Sequence, residues 1–523
     1  MRASMHHASD ERVPDVAAEG TRGAPIWVFL LVLASAVVLR FWNLGSAGIS
    51  HWDAGTYTAG PLGVGPYGER DLVLFQTPPL VPSLFAFVFD VWEPLDTLAI
   101  GVIALIGVAT VITVFLAGRS WVGDPAALAG AAALAGMQFH LLFSRQALTD
   151  VPFALFLLLA AWAFTSAAAR GSFVLAALAG AAAGLAILTK YHGFLALAIA
   201  GAWLLALWSP LARREPGDAV PRKTWLLWLV ACAVAAVPAV FLALEIERTM
   251  GLAEFRASRR EWLSAPGLYL IPQTAGLVLR SLWEWVSPFV LVPALLGFVV
   301  MLRRRAPGDL VICIFAAAFL ATLPLYRFYP RLLVPVLVPL AFAAGVGLDA
   351  AARRLAPRWR VGRTAAISLF LLVPGWWGSR ATLALEDRGY ETAARFLSQG
   401  PKDPDPDILV VQHSILFYLR DSSHPFLCYD QPGAREALES GRYRFLVGDL
   451  RLIHAPEYRE YLETNREKLK LVAEIGNPLP PSTVVNSAGF EGLDALRSAS
   501  TPAEERKTLD RIRVWRQLRK SPR

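Results

Sequence analysis

Apolar runs near twenty residues long, set apart by short polar loops, fill the chain up to about residue 382, and the remainder alternates short strand-like and helix-like stretches. Twenty apolar residues are what a helix needs to cross a hydrocarbon core of about 30 Å. The runs predict spans at about 25–44, 97–117, 124–143, 149–168, 172–189, 192–208, 224–243, 286–302, 309–325, 331–349 and 364–382. A twelfth stretch, PPLVPSLFAFVFDVW at 78–92, is short for a crossing, begins with two prolines and contains Asp90. It reads as a helix lying at the interface.

Charge decides between these topologies. With 78–92 left out and the N-terminus inside, the cytoplasmic loops hold Arg119, Arg170, Arg213, Arg214, Arg222, Lys223, the triplet Arg303 to Arg305, and the group Arg353, Arg354, Arg358, Arg360 and Arg363. Counting 78–92 as a crossing would move every downstream cluster outside. The positive-inside rule therefore predicts eleven spans, with the C-terminal region on the outer face of the cell membrane. Ala- and Gly-rich spans such as ALAGAAALAG let helix backbones approach closely.

After about residue 383 the strand-like runs ILVV (408–411), PFLCY (425–429), YRFLVG (443–448) and KLVAEIG (470–476) alternate with helical stretches. That pattern predicts a small α/β domain with a largely parallel sheet. The final PAEERKTLDRIRVWRQLRK reads as a basic amphipathic helix, able to rest on anionic lipid, with a simple solvated tail as the alternative. No GxGxxG turn, phosphate-binding loop or nucleophile elbow occurs there, so the domain is given no catalytic role. The expected organisation is a disordered cytoplasmic tail over 1–24, a membrane domain over 25–382 with external loops at 45–96 and 244–285, and a soluble outer domain over 383–523.

Composition agrees with a membrane protein: 55% of residues are hydrophobic, only 18% are charged, and the mean hydropathy is +0.45. Soluble domains carry roughly a quarter charged residues. The net charge of +8 sits in the loops between spans, so it points to topology and away from nucleic acid. Three cysteines without CxxC spacing suggest neither a disulfide framework nor a zinc site, and His6 and His7 lack a third ligand nearby.

In this topology the outer loops gather chemically unusual residues. Asp53, in HWDAGTY, is an acid close to the membrane surface, suited to general-base or metal-binding work. Asp150, in SRQALTD, heads a span, where the helix dipole favours a carboxylate; a simple cap is the alternative. Lys190 and His192, in ILTKYHG, fall where two helices meet. Arg327 and Arg331, in RFYPRLLVPVLVP, flank Tyr326 and Tyr329 in a short external loop, where positive charge runs against the topology rule. An arginine fork matches phosphate oxygens, and a lysine supplies a point charge.

The order HWDAGTY, TPPL, SRQALTD, ILTKYHG, RFYPRLLVPVLVP resembles the GT-C superfamily of polyprenyl-phosphate-sugar-dependent glycosyltransferases, nearest the protein O-mannosyltransferase and aminoarabinose transferase families. The resemblance covers roughly 25–382. It implies a polytopic α-helical membrane protein with a GT-C-like arrangement and an inverting transfer of sugar from a polyprenyl-phosphate donor to a lipid, glycan or protein acceptor. By the same resemblance Asp53 is the catalytic base and Asp150 a second acid in the cavity. Lys190, Arg327 and Arg331, with Arg145 beside them, hold the lipid phosphate, and Trp52, Tyr57, Gln76, His192 and Tyr329 line the cavity. A divalent cation is the one cofactor to consider, but Ala54 follows Asp53 where many relatives have a second acid, which weakens the case for metal chelation here. Gln76 and Thr77 stand before the double proline where several relatives have a basic residue, so a specific aminoarabinose activity is not implied. A transporter or flippase is the rival reading; it would place its charges at mid-membrane within repeated halves, and neither is evident.

Overall fold

The computed structural model describes residues 25–64, 77–212, 223–263, 271–325, 328–355, 360–399, 408–429, 431, 433–449, 456–478, 484–485, 493–494, 497 and 511–518. The expected tail over 1–24, the loop cations Arg213, Arg214, Arg222 and Arg358, and the site residues Gln76 and Arg327 lie outside them.

Each of the eleven apolar runs falls on helix. Seven helices are long and apolar enough to cross a membrane, or eight when Asp124–Gly136 and Gln138–Ser144, bent by 62° about Met137, are taken as one broken span. The three others, Phe173–Thr189, Pro288–Arg304 and Ala/Gly-rich Arg360–Leu383, are helical but shorter or more polar than that measure requires. The stretch at 78–92 forms the twelve-residue helix Leu80–Val91, too short to span. One expectation needs correction: 244–285 is not an open loop. The span Lys223–Thr249 runs into it, and Leu252–Leu263 and Ile271–Trp285 are helices. The periodicity of IPQTAGLVLRSLWEW is strongly amphipathic, which suits a helix lying against a surface.

The bundle packs through small residues. A Cβ added at Gly297 would stand 1.8 Å from the Ala343 carbonyl oxygen, and one at Gly347 would stand 2.1 Å from that of Pro293. The helices Pro288–Arg304 and Val334–Leu355 therefore touch backbone to backbone. Apolar side chains such as Leu105, Val237, Phe241 and Leu295 remain exposed on the outside of the bundle, as lipid-facing positions must be.

The C-terminal domain has a five-stranded sheet in the order β2-β1-β3-β5-β4, with β1 Ile408–Val410, β2 Phe426–Cys428, β3 Phe445–Gly448, β4 Leu469–Gly476 and β5 Arg511–Gln517. Strands β2, β1 and β3 are parallel, as expected: Ile408 pairs with Phe426 on one side and Phe445 on the other. Strand β5 is antiparallel to both β3 and β4, so only half the sheet follows the parallel pattern. Strand β5 also corrects the expected basic helix. In RIRVWRQ the apolar Ile512 and Val514 alternate with arginines and are fully buried. The sheet interior takes up that two-residue period, which one face of a helix does not match.

Candidate active site at the helix ends

The short helix Trp52–Ala59 follows the first span. His51 caps it: the ring Nδ1 accepts from the Asp53 backbone N–H at 3.1 Å. This places Asp53 in the first turn, where the helix dipole stabilises a carboxylate. Asp150 occupies the equivalent place as the first residue of Asp150–Arg170. Thr149 makes no side-chain cap there, so the acid stands at the helix start without one.

Both acids meet cations. Asp53 is ion-paired with Arg331, which sits in the 3₁₀ turn Pro330–Leu333 ahead of Val334–Leu355. Asp150 Oδ1 accepts from Lys190 Nζ at 2.5 Å, and Lys190 is the residue that ends Phe173–Thr189. The two pairs form one cluster: Lys190 interacts electrostatically with Arg331 and Asp53 as well as Asp150, and Arg331 with Asp150 as well as Asp53. Tyr57, one turn after Asp53, lies inside the cluster. Burial, and then Asp53, pushes its phenol above the ordinary range. Thr77 of the TPPL segment hydrogen-bonds it, which ties that segment to the site. Arg331 lies over the Tyr329 ring at 6.0 Å and Lys190 over Phe153 at the same distance. All four charges stand at helix ends, none at the middle of a span.

A small cavity of about 20 Å³ opens beside Lys190, walled by His192, Phe153, Phe319 and Pro335. A larger one, about 330 Å³, lies at the other end of the Asp150–Arg170 helix, lined by Trp121, Thr165, Arg170 and Trp203. No carboxylate lines it. Of the two, only the smaller cavity is lined by a member of the charged cluster, Lys190.

Two residues take different places from those expected. Arg145 does not join the cluster: its guanidinium donates to the carbonyls of Arg40 at 3.0 Å, Trp42 at 2.8 Å and Asn43 at 3.3 Å. It thereby closes the end of the first span, a use of arginine's fork on orphan helix carbonyls. Trp52 turns away from the cavity and stacks on His413 of the C-terminal domain. Among the described residues no group of three or more His, Cys, Asp and Glu side chains comes together to hold a metal ion. Asp53 and Asp150 are each paired with a cation.

Sequence reasoning missed the joint with the C-terminal domain. Tyr418 donates to Asp96 Oδ2 at 2.7 Å and accepts from the Ile49 N–H at 2.9 Å; Arg388 also reaches Asp96, at 3.0 Å. Asp387 accepts from the Gly48 N–H at 2.7 Å. Nothing in the local pattern around Tyr418 or His413 marks them, since their partners are far away in the chain. A second unforeseen group is Arg40, fully buried, with its guanidinium 2.8 Å from His140 Nδ1.

Residues 76–241 match the family model described as dolichyl-phosphate-mannose-protein mannosyltransferase. That segment includes Asp150 and Lys190 and leaves Asp53 and Arg331 outside. Among curated proteins no sequence match is found. The fold is similar to ArnT from Cupriavidus metallidurans bound to undecaprenyl phosphate, with a TM-score of 0.60 and 17% identity over 86% of this chain and 97% of that one. It is similar to the Archaeoglobus fulgidus oligosaccharyltransferase in complex with Zn and sulfate, with a TM-score of 0.58 and 14% identity over 94% and 88%. The archaeal oligosaccharyltransferase AglB from Archaeoglobus fulgidus, in complex with an inhibitory peptide and a dolichol-phosphate, is similar over 89% of this chain and 78% of that one, with a TM-score of 0.55 and 14% identity. Helices long and apolar enough to cross a membrane and the shared fold make this chain a polytopic helical membrane protein with the fold of these glycosyltransferases, and its residues 76–241 match the mannosyltransferase family model.

Proposed function

We propose that the chain transfers a sugar from a polyprenyl-phosphate donor to an acceptor hydroxyl or phosphate, with inversion, on the extracytoplasmic face. The observation that carries this is the four-charge cluster Asp53–Arg331 and Asp150–Lys190 at the helix ends, with Asp150 fully buried and the other three half-buried. Two cations at membrane-surface depth suit a lipid-linked phosphate, and an acid beside them suits an acceptor hydroxyl.

In this reading Lys190 and Arg331 bind the donor phosphate, and Asp150 holds Lys190 in place. The phosphate competes with Asp53 for Arg331, so donor binding releases the Asp53 carboxylate. The acceptor oxygen then attacks the anomeric carbon as its proton passes to Asp53. The bond from that carbon to the phosphate oxygen breaks, and polyprenyl phosphate departs with the electron pair. Cations facing the leaving phosphate stabilise its growing charge, and a general base contributes roughly 10²–10⁴-fold. Arg327, beside Arg331 in sequence, is proposed as a further phosphate ligand, and His192 and Tyr329 as cavity walls.

Mass spectrometry of envelope glycans and lipids, with and without the gene, tests the activity. The expected outcome is one glycan or lipid that loses a single sugar residue and regains it on complementation. Identical envelopes would sink the reading.

A further inference from the structure

The Trp52–Ala59 helix belongs to two hydrophobic cores. Ala54 and Tyr57 pack into the membrane-domain core, on the side of Asp53. Trp52 and Ala59 pack into the core of the C-terminal domain with Ile415, Leu416 and Leu419. Positions 52, 55, 56 and 59 are spaced as one helical face, and three of these four meet the same residue. Trp52 stacks on the His413 ring with centroids 3.3 Å apart and planes inclined by 25°. Thr56 Oγ1 lies 2.9 Å from His413 Nδ1. A Cβ at Gly55 would stand 2.4 Å from the His413 carbonyl oxygen, so only glycine admits this approach.

We propose that His413 is a positioning residue for the transfer reaction: it reaches from the C-terminal domain to set the rotation and depth of the helix that carries Asp53. The proposal rests on the reading of Asp53 as the base. An eight-residue helix is marginal by itself in water, so its orientation comes from its ties. His51 holds one end, and His413 grips the adjoining turn by a ring stack and a hydrogen bond to residues four apart. A histidine that merely filled space would need only the stack. A displacement of about 1 Å at a reacting group can cost about 10²-fold in rate. A single hydrogen-bonded ring at this joint therefore controls catalysis without touching substrate.

The test uses the full chain in lipid nanodiscs, as wild type, His413→Ala and His413→Gln. Three quantities are measured: transfer from undecaprenyl-phosphate-linked sugars, binding of undecaprenyl phosphate, and amide exchange. For His413→Ala we expect kcat to fall about 10²-fold. The donor KM and undecaprenyl phosphate affinity should stay within about threefold, a factor worth less than the 1.4 kcal/mol of a tenfold change. Exchange should rise over 52–59 and not over Asp150–Arg170. His413→Gln, which keeps a hydrogen-bonding group, should recover part of kcat. Unchanged kcat, or a loss matched by weaker donor binding and faster exchange throughout the bundle, would overturn the proposal. If wild type transfers nothing from these donors, the donor reading has failed on its own. The exchange comparison then decides the matter: selective loosening of 52–59 upholds positioning, and its absence overturns it.

Discussion

Lys190 Nζ stands 2.5 Å from one oxygen of Asp150, and among the described residues the other oxygen of that fully buried carboxylate has no hydrogen-bond partner. The ion pair thus uses half of the acid. Lys190 is itself only 15% exposed, so neither charge is well solvated without the other. Removing one partner of such a pair costs about 3–5 kcal/mol, because the other is left buried and alone. Asp150→Ala is expected to lower the yield of folded protein and its apparent melting temperature, measured by fluorescence-detected size exclusion. The double variant Asp150→Asn with Lys190→Gln should restore folding and still fail to bind undecaprenyl phosphate. A double variant that binds it normally would remove Lys190 from the donor site.

Asp53 and Arg331 make a separable prediction. With the carboxylate paired to the guanidinium, the donor phosphate must displace it. Asp53→Asn should reduce transfer by about 10²–10⁴-fold while binding undecaprenyl phosphate at least as tightly as wild type. Arg331→Ala should weaken donor binding instead. Calorimetric or fluorescence titration against nanodisc-embedded lipid distinguishes the two. Full activity in Asp53→Asn would end its assignment as base.

Asp387, between the last span and the C-terminal domain, gives a pH signature. Burial raises its carboxyl from the ordinary 3.8 to about 6, and the hydrogen bond from Gly48 works against that rise. Between those values the native state holds a proton that the unfolded chain has lost. Its contribution is therefore greatest below about pH 4, declines as pH rises to about 6, and stays low above; the full span is on the order of 3 kcal/mol. Asp387→Asn keeps an acceptor for the Gly48 N–H and has no charge to bury. Its apparent melting temperature should exceed that of wild type at pH 7.5, with the gap closing by pH 4. A gap independent of pH would refute the assignment.

Close helix packing supplies a fourth expectation. A methyl group at Gly297 has no room against the Ala343 carbonyl. Gly297→Ala should destabilise the bundle by about 1–3 kcal/mol, the usual cost of overpacking. By contrast Gly276→Ala, where an added Cβ meets nothing within 4 Å, should leave stability unchanged or slightly higher. Thermal unfolding of the two variants side by side checks the contrast.

Much of this was legible in the sequence because hydrophobic length and loop charge are local properties. The eleven helical runs and the demotion of 78–92 follow from them, as does the common end shared by Asp53, Asp150, Lys190 and Arg331. Three features escaped. The helices within 244–285 hid behind polar composition, since an amphipathic surface helix lacks the uniform run of a span. Strand Arg511–Gln517 passed for a helix because its arginines suggested a basic tail, while the alternation of Ile512 and Val514 carried the better signal. The stack of Trp52 on His413 was invisible because the two residues are distant in the chain. Arg145 illustrates the converse: the right residue type in the right motif, used on backbone carbonyls.

Strand β5 lies between β3 and β4, yet it is the last of the five to be synthesised. Until it emerges, β3 exposes an open edge and β4 has no neighbour to join. The sheet that presents His413 to the Asp53 helix is thus finished only after every span has been inserted. Biosynthesis would then order two events: the membrane bundle assembles first, and the sheet that seats His413 against the Trp52–Ala59 helix closes only once β5 has been made. A ribosome that stopped short of residue 511 would leave behind a protein with an unprotected β3 edge, open to pairing with another strand.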